Sequence, residues 1–559
     1  MVAAICRSRQ WLYVPGMGVN PIGGVARLLK RSADEAFSAA ALVASGAVSL
    51  QPPHRYLRVL RSFGNYGGVG LLITAGAQLH GDATALVDER GSLTFRQLDA
   101  RSNALANAWL AAGLAAGDGV GILCRNHRGL FEAIAAAAKV GARTLPLNTE
   151  FAAPELQAVC EREAVALLVH DDVFSVVVGG YRPKTGRVLA WVDGQPDGQT
   201  LDYLVAAGDP APPPAPEVQQ RLVMLTSGTT GAPKGAPRDI GKSLVAPGGF
   251  LSKVPFRGGR TAFIAAPVFH SWGLFSSAMA LAVGDTVVVR RRFDPLATLD
   301  AVASHRCDVL SMVPVMLSRV LALGEDEIRR RDTSALRIIC LAGAPLSADL
   351  SVRARSVFGD VLYNLYGSTE VSFATIATPA DLREAPGCAG RPPLGVTVRL
   401  LDTNGAAVRR GQVGRIFVGN GLQFAGYTGG GGKQVVDGLM ESGDLGHFDE
   451  GGRLFVDGRD DDMIVSGGEN VFPGEVEELL AAHDAIVEAA VIGVPDAEFG
   501  QRLRAYVVRS AGIALDADAV REYVRANVAR YKVPRDVIFV DALPRNPTGK
   551  VVKADLAAD

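Results

Sequence analysis

The stretch Thr226-Ser227-Gly228-Thr229-Thr230-Gly231-Ala232-Pro233-Lys234-Gly235 follows directly on the apolar run Leu222-Val223-Met224-Leu225. A short apolar run ahead of a turn-rich segment predicts a buried strand that delivers the chain into a loop. Gly228, Gly231 and Gly235 let the backbone approach a ligand, while the hydroxyls of Thr226, Ser227, Thr229 and Thr230, the exposed N–H groups and Lys234 all offer donors. That is the composition of a polyphosphate cradle. It is not a Walker A loop, because neither Gly228 nor Gly231 is followed at the required spacing by Gly-Lys-Ser/Thr. The plainer alternative is a flexible, hydroxyl-rich turn.

Upstream, Asp209 to Glu217 (DPAPPPAPE) excludes helix and central strand and marks a surface connection. From Gly67 the pattern alternates: helix Gly70–Leu79, strand Thr84–Asp88, helix Thr94–Leu114, strand Val120–Cys124, helix Arg128–Val140, strand Thr144–Leu147. This rhythm predicts an α/β fold in which helices cover parallel sheets. Alternation continues through Tyr363. Short strands then follow at Val396–Leu401, Gly414–Val418 and Arg453–Val456, as expected of a β-rich subdomain. The turn-prone Gly458-Arg459-Asp460-Asp461-Asp462 places a hinge at Asp461, followed by a small α+β domain of about 100 residues. Expected domains are therefore an extension over 1–66, a large domain over 67–460 and a mobile domain over 461–559.

With 559 residues the chain exceeds one ordinary core, and 48% hydrophobic against 21% charged residues excludes disorder. Net charge is −1, with residues 1–81 carrying +6 and the remainder −7, which argues against whole-protein nucleic-acid binding. The six cysteines lack CxxC spacing, which predicts reduced, mostly buried thiols and no structural zinc. No secretory signal is read, so the expected location is the cytoplasm. Neither Ala36–Pro53 nor Ser62–Gly81 reads as a membrane span. The basic, apolar residues 1–66, with a helix around Val25–Val43, read either as a packed helical cap or as a surface resting on anionic lipid at the inner membrane face.

Downstream of the glycine-rich loop lie Pro267-Val268-Phe269-His270-Ser271-Trp272-Gly273, Ala342-Gly343-Ala344-Pro345-Leu346, Tyr366-Gly367-Ser368-Thr369-Glu370, Ser442-Gly443-Asp444-Leu445-Gly446, Gly458-Arg459-Asp460-Asp461 and Pro547-Thr548-Gly549-Lys550. In this order, over roughly residues 70–555, the chain resembles the adenylate-forming superfamily of acyl-CoA synthetases, adenylation domains and firefly-type luciferases. Its N-terminal extension and the stretches around Val87 and Cys124 look most like actinobacterial fatty-acid-CoA ligases.

The resemblance implies ATP, Mg²⁺ and coenzyme A as reactants, with a small carboxylic acid as substrate. It implies that Tyr366 stacks on adenine, beside backbone from Gly343, Ala344 and Pro345 and the amide of Asn364, with Gly367 in the same turn. Asp444, a natural acceptor for two hydroxyls, and Arg459 would hold the ribose. Thr369 and Glu370 would hold the triphosphate, and Glu370 with Thr229 its metal, since Mg²⁺ takes few protein oxygens. Lys550 would bridge the attacking carboxylate and the α-phosphate, stabilising developing charge. Lys553 lies close enough to compete for that role. Rotation about Asp461 would then withdraw Lys550 and present Gly467 and Gly468 to a pantetheine arm. His270 would gate the passage between acyl pocket and thiol tunnel, whereas His447 and His483 read as structural. Phe269, Trp272, Leu274, Phe275, Met312 and Val371 are the expected acyl-pocket walls.

Two departures from the family pattern stand out: Gly414-Arg415 where many relatives have Gly-Glu, and the glycine run Gly429–Gly432 after Gly426-Tyr427-Thr428. Lys433 has no Walker spacing and is not read as a phosphate ligand. The alternatives to a CoA ligase are an acyl-AMP ligase loading a carrier-protein thiol, a luciferase-like second step, and a non-catalytic relative. The last would be expected to lose Lys550, Glu370 or Asp444. Oligomeric state is not legible.

Overall fold

The computed structural model describes residues 21–48, 51–219, 221–226, 234–238, 243–424, 426–428, 430–460, 462, 464–466, 469–496, 500–528, 532–546 and 549–557. Two helix-covered sheets form the body of the large domain. Across the first, the strands run Ser372–Ala377, Leu362–Ser368, Ile338–Leu341, Val309–Met312, Thr261–Ile264, Thr286–Val289, Thr84–Asp88 and Gly91–Thr94. The six inner strands are parallel, and each edge strand is antiparallel to its neighbour. The second sheet runs Gly186–Trp191, Val165–Asp171, Gly119–Leu123, Arg143–Pro146, Leu222–Thr226 and Lys234–Arg238, parallel except for the last pair. Inner strands such as Gly119–Leu123 and Val165–Asp171 are buried along their whole length, as sheets covered on both faces require.

Local chemistry sets the helix bounds. The helix α1 spans Pro21–Ser45, α2 Pro53–Leu79, α3 Phe95–Ala111 and α4 Arg128–Val140. Thr94 and Gln97 form a reciprocal capping box at the start of α3, and Gly141 in the left-handed region ends α4. Between α3 and α4 the buried Lys139 ammonium donates to Asp99 Oδ1 (2.6 Å), Ser102 Oγ (2.7 Å) and Asn103 Oδ1 (2.6 Å). Those acceptors offset the desolvation of a charge placed between two helices.

The expected division at 66/67 falls inside α2, which crosses it instead of ending there. Gly67 (φ 68°, ψ −171°) kinks the helix at that point, and the buried Tyr66 hydroxyl donates to Pro213 O at 2.6 Å, tying α2 to the proline-rich connection. The expected helix Gly70–Leu79 is thus the second half of a longer one. The helix α1 packs against Val245–Lys253, where Glu35 accepts from Ser243 Oγ (2.7 Å) and Leu244 N (3.0 Å). Among the described residues no helix is long and apolar enough to cross a membrane.

A third, antiparallel sheet carries Thr397–Leu401, Gly414–Gly419, Val435–Val436, Leu439–Phe448 and Leu454–Arg459. The C-terminal part has its own core, built on a sheet of Glu469–Val471, Ile464–Ser466, Gly500–Arg509, Ile486–Asp496 and Asp536–Phe539 under helices Pro473–Ala481 and Ala517–Asn527. The molecule is therefore α/β, with a large N-terminal domain of mixed sheets and a small C-terminal domain.

Candidate active site

Parallel sheets present ligand sites at the carboxyl ends of their strands. Four such ends converge here: Thr226 on one sheet, and on the other the turns that carry His270, Gly343 and Tyr366. They open into one cleft of about 3380 Å³, lined also by Asp444, Arg459, Lys433 and Lys550.

On the polar side, the Tyr366 hydroxyl donates to Asp444 Oδ2 at 2.6 Å and lies 3.1 Å from Ser442 Oγ. Asp444 and Arg459 are register partners on adjacent antiparallel strands, with Arg459 Nη1 3.7 Å from Asp444 Oδ1. Burial lifts the Asp444 carboxyl above its ordinary range, opposed by the Tyr366 hydrogen bond and by the charges of Arg459, Lys550 and Lys433. Burial next to that carboxylate drives the Tyr366 phenol well up. Asn364 is buried and donates through Nδ2 to Cys388 O at 3.3 Å, which holds its amide plane beside the Gly343-Ala344-Pro345 turn.

Glu370 accepts from the Tyr427 hydroxyl at 2.8 Å and from Ser368 Oγ at 2.9 Å, with Thr369 beside it on the cleft wall. Lys234 Nζ stands 5.3 Å from the centre of the Tyr427 ring. A carboxylate beside the Ser368 and Tyr427 hydroxyls, on the cleft wall near Lys234, suits a hard cation that completes its shell from phosphate and water. Ser227, Gly228, Thr229, Thr230 and Gly231 lie outside the described residues, as do Asp461, Gly467 and Gly468. Of that loop the structure describes its two ends, Thr226 and Lys234, which pair across the hairpin.

Lys550 arrives from the C-terminal domain. Its backbone N–H donates to Asn546 Oδ1 at 2.9 Å, and the preceding Gly549 (φ 78°) lies so close to Val315 of the large domain that a β-carbon would overlap that side chain. A second bridge joins the domains where Glu478 accepts from Ala348 N at 3.1 Å. Lys553 also lines the cleft, where it is paired with Glu477 at 2.8 Å.

Lys433, dismissed on sequence, comes to this site. Its ammonium would lie 3.1 Å from a β-carbon at Gly443 and contributes to the field at Asp444. The shortened glycine-rich loop delivers it, a path that motif spacing does not show. Arg415, the other departure, pairs with Glu441 and approaches Asp460 at 3.3 Å, joining the Asp444 strand to the segment ahead of residue 461.

The apolar side is built from Phe269, Trp272, Leu274 and Phe275, all on the cleft wall. Phe275 meets Phe250 edge-on at 4.9 Å, and Trp272 Nε1 donates to Met312 O at 3.1 Å. Met312 and Val371, expected as walls, are instead fully buried in separate core clusters. Each points into the packed side of its layer, which an apolar sequence position does not reveal. His270 precedes the helix Ser271–Val283 and lines the cleft; its buried Nε2 has no hydrogen-bond partner among the described residues, and desolvation lowers its pKa to about 4. It is a neutral ring with one open polar position.

Two further histidines are held by neighbouring groups of the protein. His447 pairs with Asp457 at 2.9 Å and stacks on Phe455, and His483 Nδ1 accepts from Ala485 N at 3.1 Å. Cys124, Cys160, Cys307, Cys340 and Cys388 are buried free thiols whose pKa values burial raises. Cys124, His127 and Asp171 cluster in the core. There His127 Nδ1 accepts from Gly129 N (3.1 Å), its Nε2–H donates to Asp171 Oδ1 (2.6 Å), and Arg125 takes the other oxygen. That network caps α4 and is closed within the protein.

Residues 73–428 match the model of the AMP-binding enzyme family, and residues 475–550 match that of the AMP-binding enzyme C-terminal domain. The chain is 34% identical over 496 residues to a feruloyl-CoA synthase from Amycolatopsis sp, covering 88% of this chain and 98% of that protein. It is 31% identical to the fatty acid–[acyl-carrier-protein] ligase ScoC of Streptomyces coeruleorubidus, covering 86% and 94% of the two chains. The crystal structure of ATP-bound MatB from Rhodopseudomonas palustris superposes with a TM-score of 0.78 at 29% identity, covering 88% of this chain and 99% of that one.

Proposed function

Since this chain belongs to the AMP-binding, adenylate-forming enzyme family, we propose that it is an ATP-dependent carboxylate:CoA ligase. The observation that carries the proposal is the single cleft in which Tyr366, Asp444, Arg459, Glu370 and Lys550 face one end and Phe269, Trp272 and Phe275 the other. One end suits a nucleotide and the other an apolar acid. The substrate carboxylate attacks the α-phosphorus of ATP, forming acyl-AMP as pyrophosphate leaves; a thiol then attacks the acyl carbon, forming the thioester as AMP leaves.

The side chains divide this work. Tyr366 packs on adenine, with Asn364 and the Gly343–Pro345 backbone at its edge, and Asp444 and Arg459 hold the ribose. Thr226 to Lys234 and Thr369 cradle the phosphates, and Glu370, with Thr229, would hold Mg²⁺, which supplies charge neutralisation of the triphosphate. Lys550 bridges carboxylate and α-phosphate in the first half-reaction, when two anions must meet. Its loop rests against Val315 of the large domain, as adenylation requires. The C-terminal domain, 461–559, then turns about Asp461 relative to the large domain, 67–460, Lys550 withdraws, and Gly467 and Gly468 line the thiol passage past His270.

The acid is apolar, and within that class a fatty acyl chain is proposed: the aromatic end of the cleft has room for a chain, and one relative is named for a fatty acid. Another is named for the aromatic feruloyl group, so aryl acids are the competing substrates. A carrier-protein thiol in place of CoA is the second reading, favoured by the same ScoC relative. The enzyme is placed in the cytoplasm, with its N-terminal helices toward a lipid surface.

The test is product analysis by mass spectrometry of the full chain with Mg²⁺-ATP and a panel of fatty and aryl acids, with and without CoA. CoA-dependent thioester and AMP are expected. Acyl-AMP that accumulates and ignores CoA would reassign the acceptor, and no product with any acid would overturn the proposal. In Lys550→Ala, acyl-AMP formation is expected to fall by about 10²–10³-fold, while preformed acyl-AMP still reacts with CoA.

A further inference from the structure

The family-matched region begins at residue 73, so α1 and the first half of α2 are additions to the shared body. Their position is informative. Tyr56, Val59 and Phe63 of α2 and Leu42 of α1 line the same cleft as His270 and Phe275, with the half-exposed Leu60 and Val48, the latter beyond the end of α1, at its rim. The added helices are thus part of the wall of that cleft, and α2 packs on the helix Ser271–Val283 that carries Trp272 and Phe275.

The outer side of α2 has an unusual composition for a surface. Leu57 is 65% exposed and Leu60 51% exposed, and between and beside them Arg58 and Arg61 are exposed as well. Beyond the Gly46 turn that ends α1, Val48 is exposed too, as are Phe37 and Val43 on α1 itself. No Asp or Glu occurs anywhere from residue 36 to residue 81. A helix face that alternates exposed leucine with arginine, in a stretch without acidic residues, is complementary to an interface that is apolar below and anionic above.

We propose that α1 and the first half of α2 form a lipid-docking gate. Leu57 and Leu60 enter the interface of an anionic bilayer while Arg58 and Arg61 meet its headgroups, and Val59 and Phe63 on the inner side open the acyl end of the cleft toward the same surface. A carboxylic acid dissolved in the bilayer then passes into the cleft with its carboxylate leading toward the nucleotide end and its chain following along apolar side chains, without full exposure to water. The docking rests on the exposed face alone; the passage of substrate rests on the ligase assignment.

The experiment uses the full chain with vesicles of phosphatidylcholine, with and without phosphatidylglycerol, in co-sedimentation, alongside thioester assays on a long-chain acid held in those vesicles and on a short, water-soluble acid. The wild type is expected to sediment with the anionic vesicles and to release as salt rises. The variant Leu57→Gln/Arg58→Glu/Arg61→Glu is expected to lose about tenfold or more of that partitioning. It should turn over vesicle-held acid correspondingly more slowly, with unchanged rates on the soluble acid. Circular dichroism and the soluble-acid rate report whether the variant is folded; Arg58→Gln/Arg61→Gln is the milder substitution if it is not.

Wild type that ignores anionic vesicles, or a folded variant that binds and turns over vesicle-held acid as the wild type does, would overturn the gate. Binding of an acidic carrier protein to the arginine face, with no vesicle binding, would overturn it in favour of a protein partner. Vesicle binding with no thioester from either acid would leave the docking face standing and remove the ligase assignment on which substrate passage depends.

Discussion

The Tyr366 hydroxyl donates to Asp444 Oδ2 at 2.6 Å, joining the parallel sheet that shapes the cleft to the antiparallel sheet that closes it. The aromatic ring and the carboxylate proposed for the two halves of one nucleoside are therefore held by each other before any ligand arrives. Hydrogen bonds to a charged group contribute about 1.5–3 kcal/mol, so Asp444→Ala is expected to lower kcat/KM for ATP by roughly 10- to 150-fold. Tyr366→Phe keeps the ring and loses only the bond, and its loss is expected at the lower end of that range. Because burial holds the Asp444 carboxyl above its ordinary range, it protonates at a higher pH than an exposed aspartate, and KM for ATP is expected to rise on acidification earlier than solvent-exposed carboxylates would predict. Steady-state kinetics against ATP across pH, in the wild type and Asp444→Asn, checks both statements.

Lys433 belongs to the large domain, ahead of the segment about which the C-terminal domain is proposed to turn, so under that proposal it stays with the nucleotide when Lys550 withdraws. Lys433→Ala is expected to raise KM for ATP and to weaken AMP binding by about 5- to 10-fold, the effect of removing one partly solvated charge. Arginine at this position should restore most of the loss. AMP titration by calorimetry separates this from a change in chemistry.

The His270 ring, half-buried in the cleft wall, is neutral, with its pKa lowered to about 4 by desolvation. A group that titrates there does not change charge between about pH 5 and 8. The thioester-forming rate of the wild type and of His270→Asn is therefore expected to show the same pH profile over that range, while acyl-chain preference shifts because a cleft-lining side chain has changed. Single-turnover rates from preformed acyl-AMP measure this directly.

Asp285 is fully buried, accepts from Arg260 N at 2.9 Å, and has its pKa raised by burial to about 7. In the unfolded chain the same group titrates at its ordinary value near 3.8. Between these two values the unfolded state has released a proton that the folded state retains, so this group makes stability fall as pH rises from about 4 to about 7, with no further loss above. Asp285→Asn keeps an acceptor for Arg260 and removes the ionisation. It is expected to flatten that part of the pH–stability curve and raise Tm near neutral pH by roughly 1–3 °C, read by thermal denaturation at several pH values.

The strand Thr84–Asp88 and the helix Arg128–Val140 are legible with their observed bounds, because hydrophobic period and capping chemistry act over a few neighbouring residues. Tyr366, Glu370, Asp444 and Lys550, singled out by their motifs, line one cleft, whereas residues 227–233 of the glycine-rich loop lie outside the described residues. Less local features escaped. Met312 and Val371 carry the same apolar signal as Phe269 and Phe275, yet the first pair is packed between layers and the second faces the cleft. The helix α2 looked like an extension followed by a new unit, because a glycine kink mimics a boundary in one dimension.

From the sequence alone come the alternation of helices and strands, the family resemblance, and the identity of Tyr366, Glu370, Asp444 and Lys550 as groups able to handle a nucleotide. Only tertiary structure decided that Tyr366 bonds Asp444, that Lys433 enters their field, and that the N-terminal helices line the same cleft. Periodicity and turn chemistry are written within a few residues. Contacts between residues scores of positions apart depend on sheet register and on which layer covers which face, and those are settled only when the whole core packs.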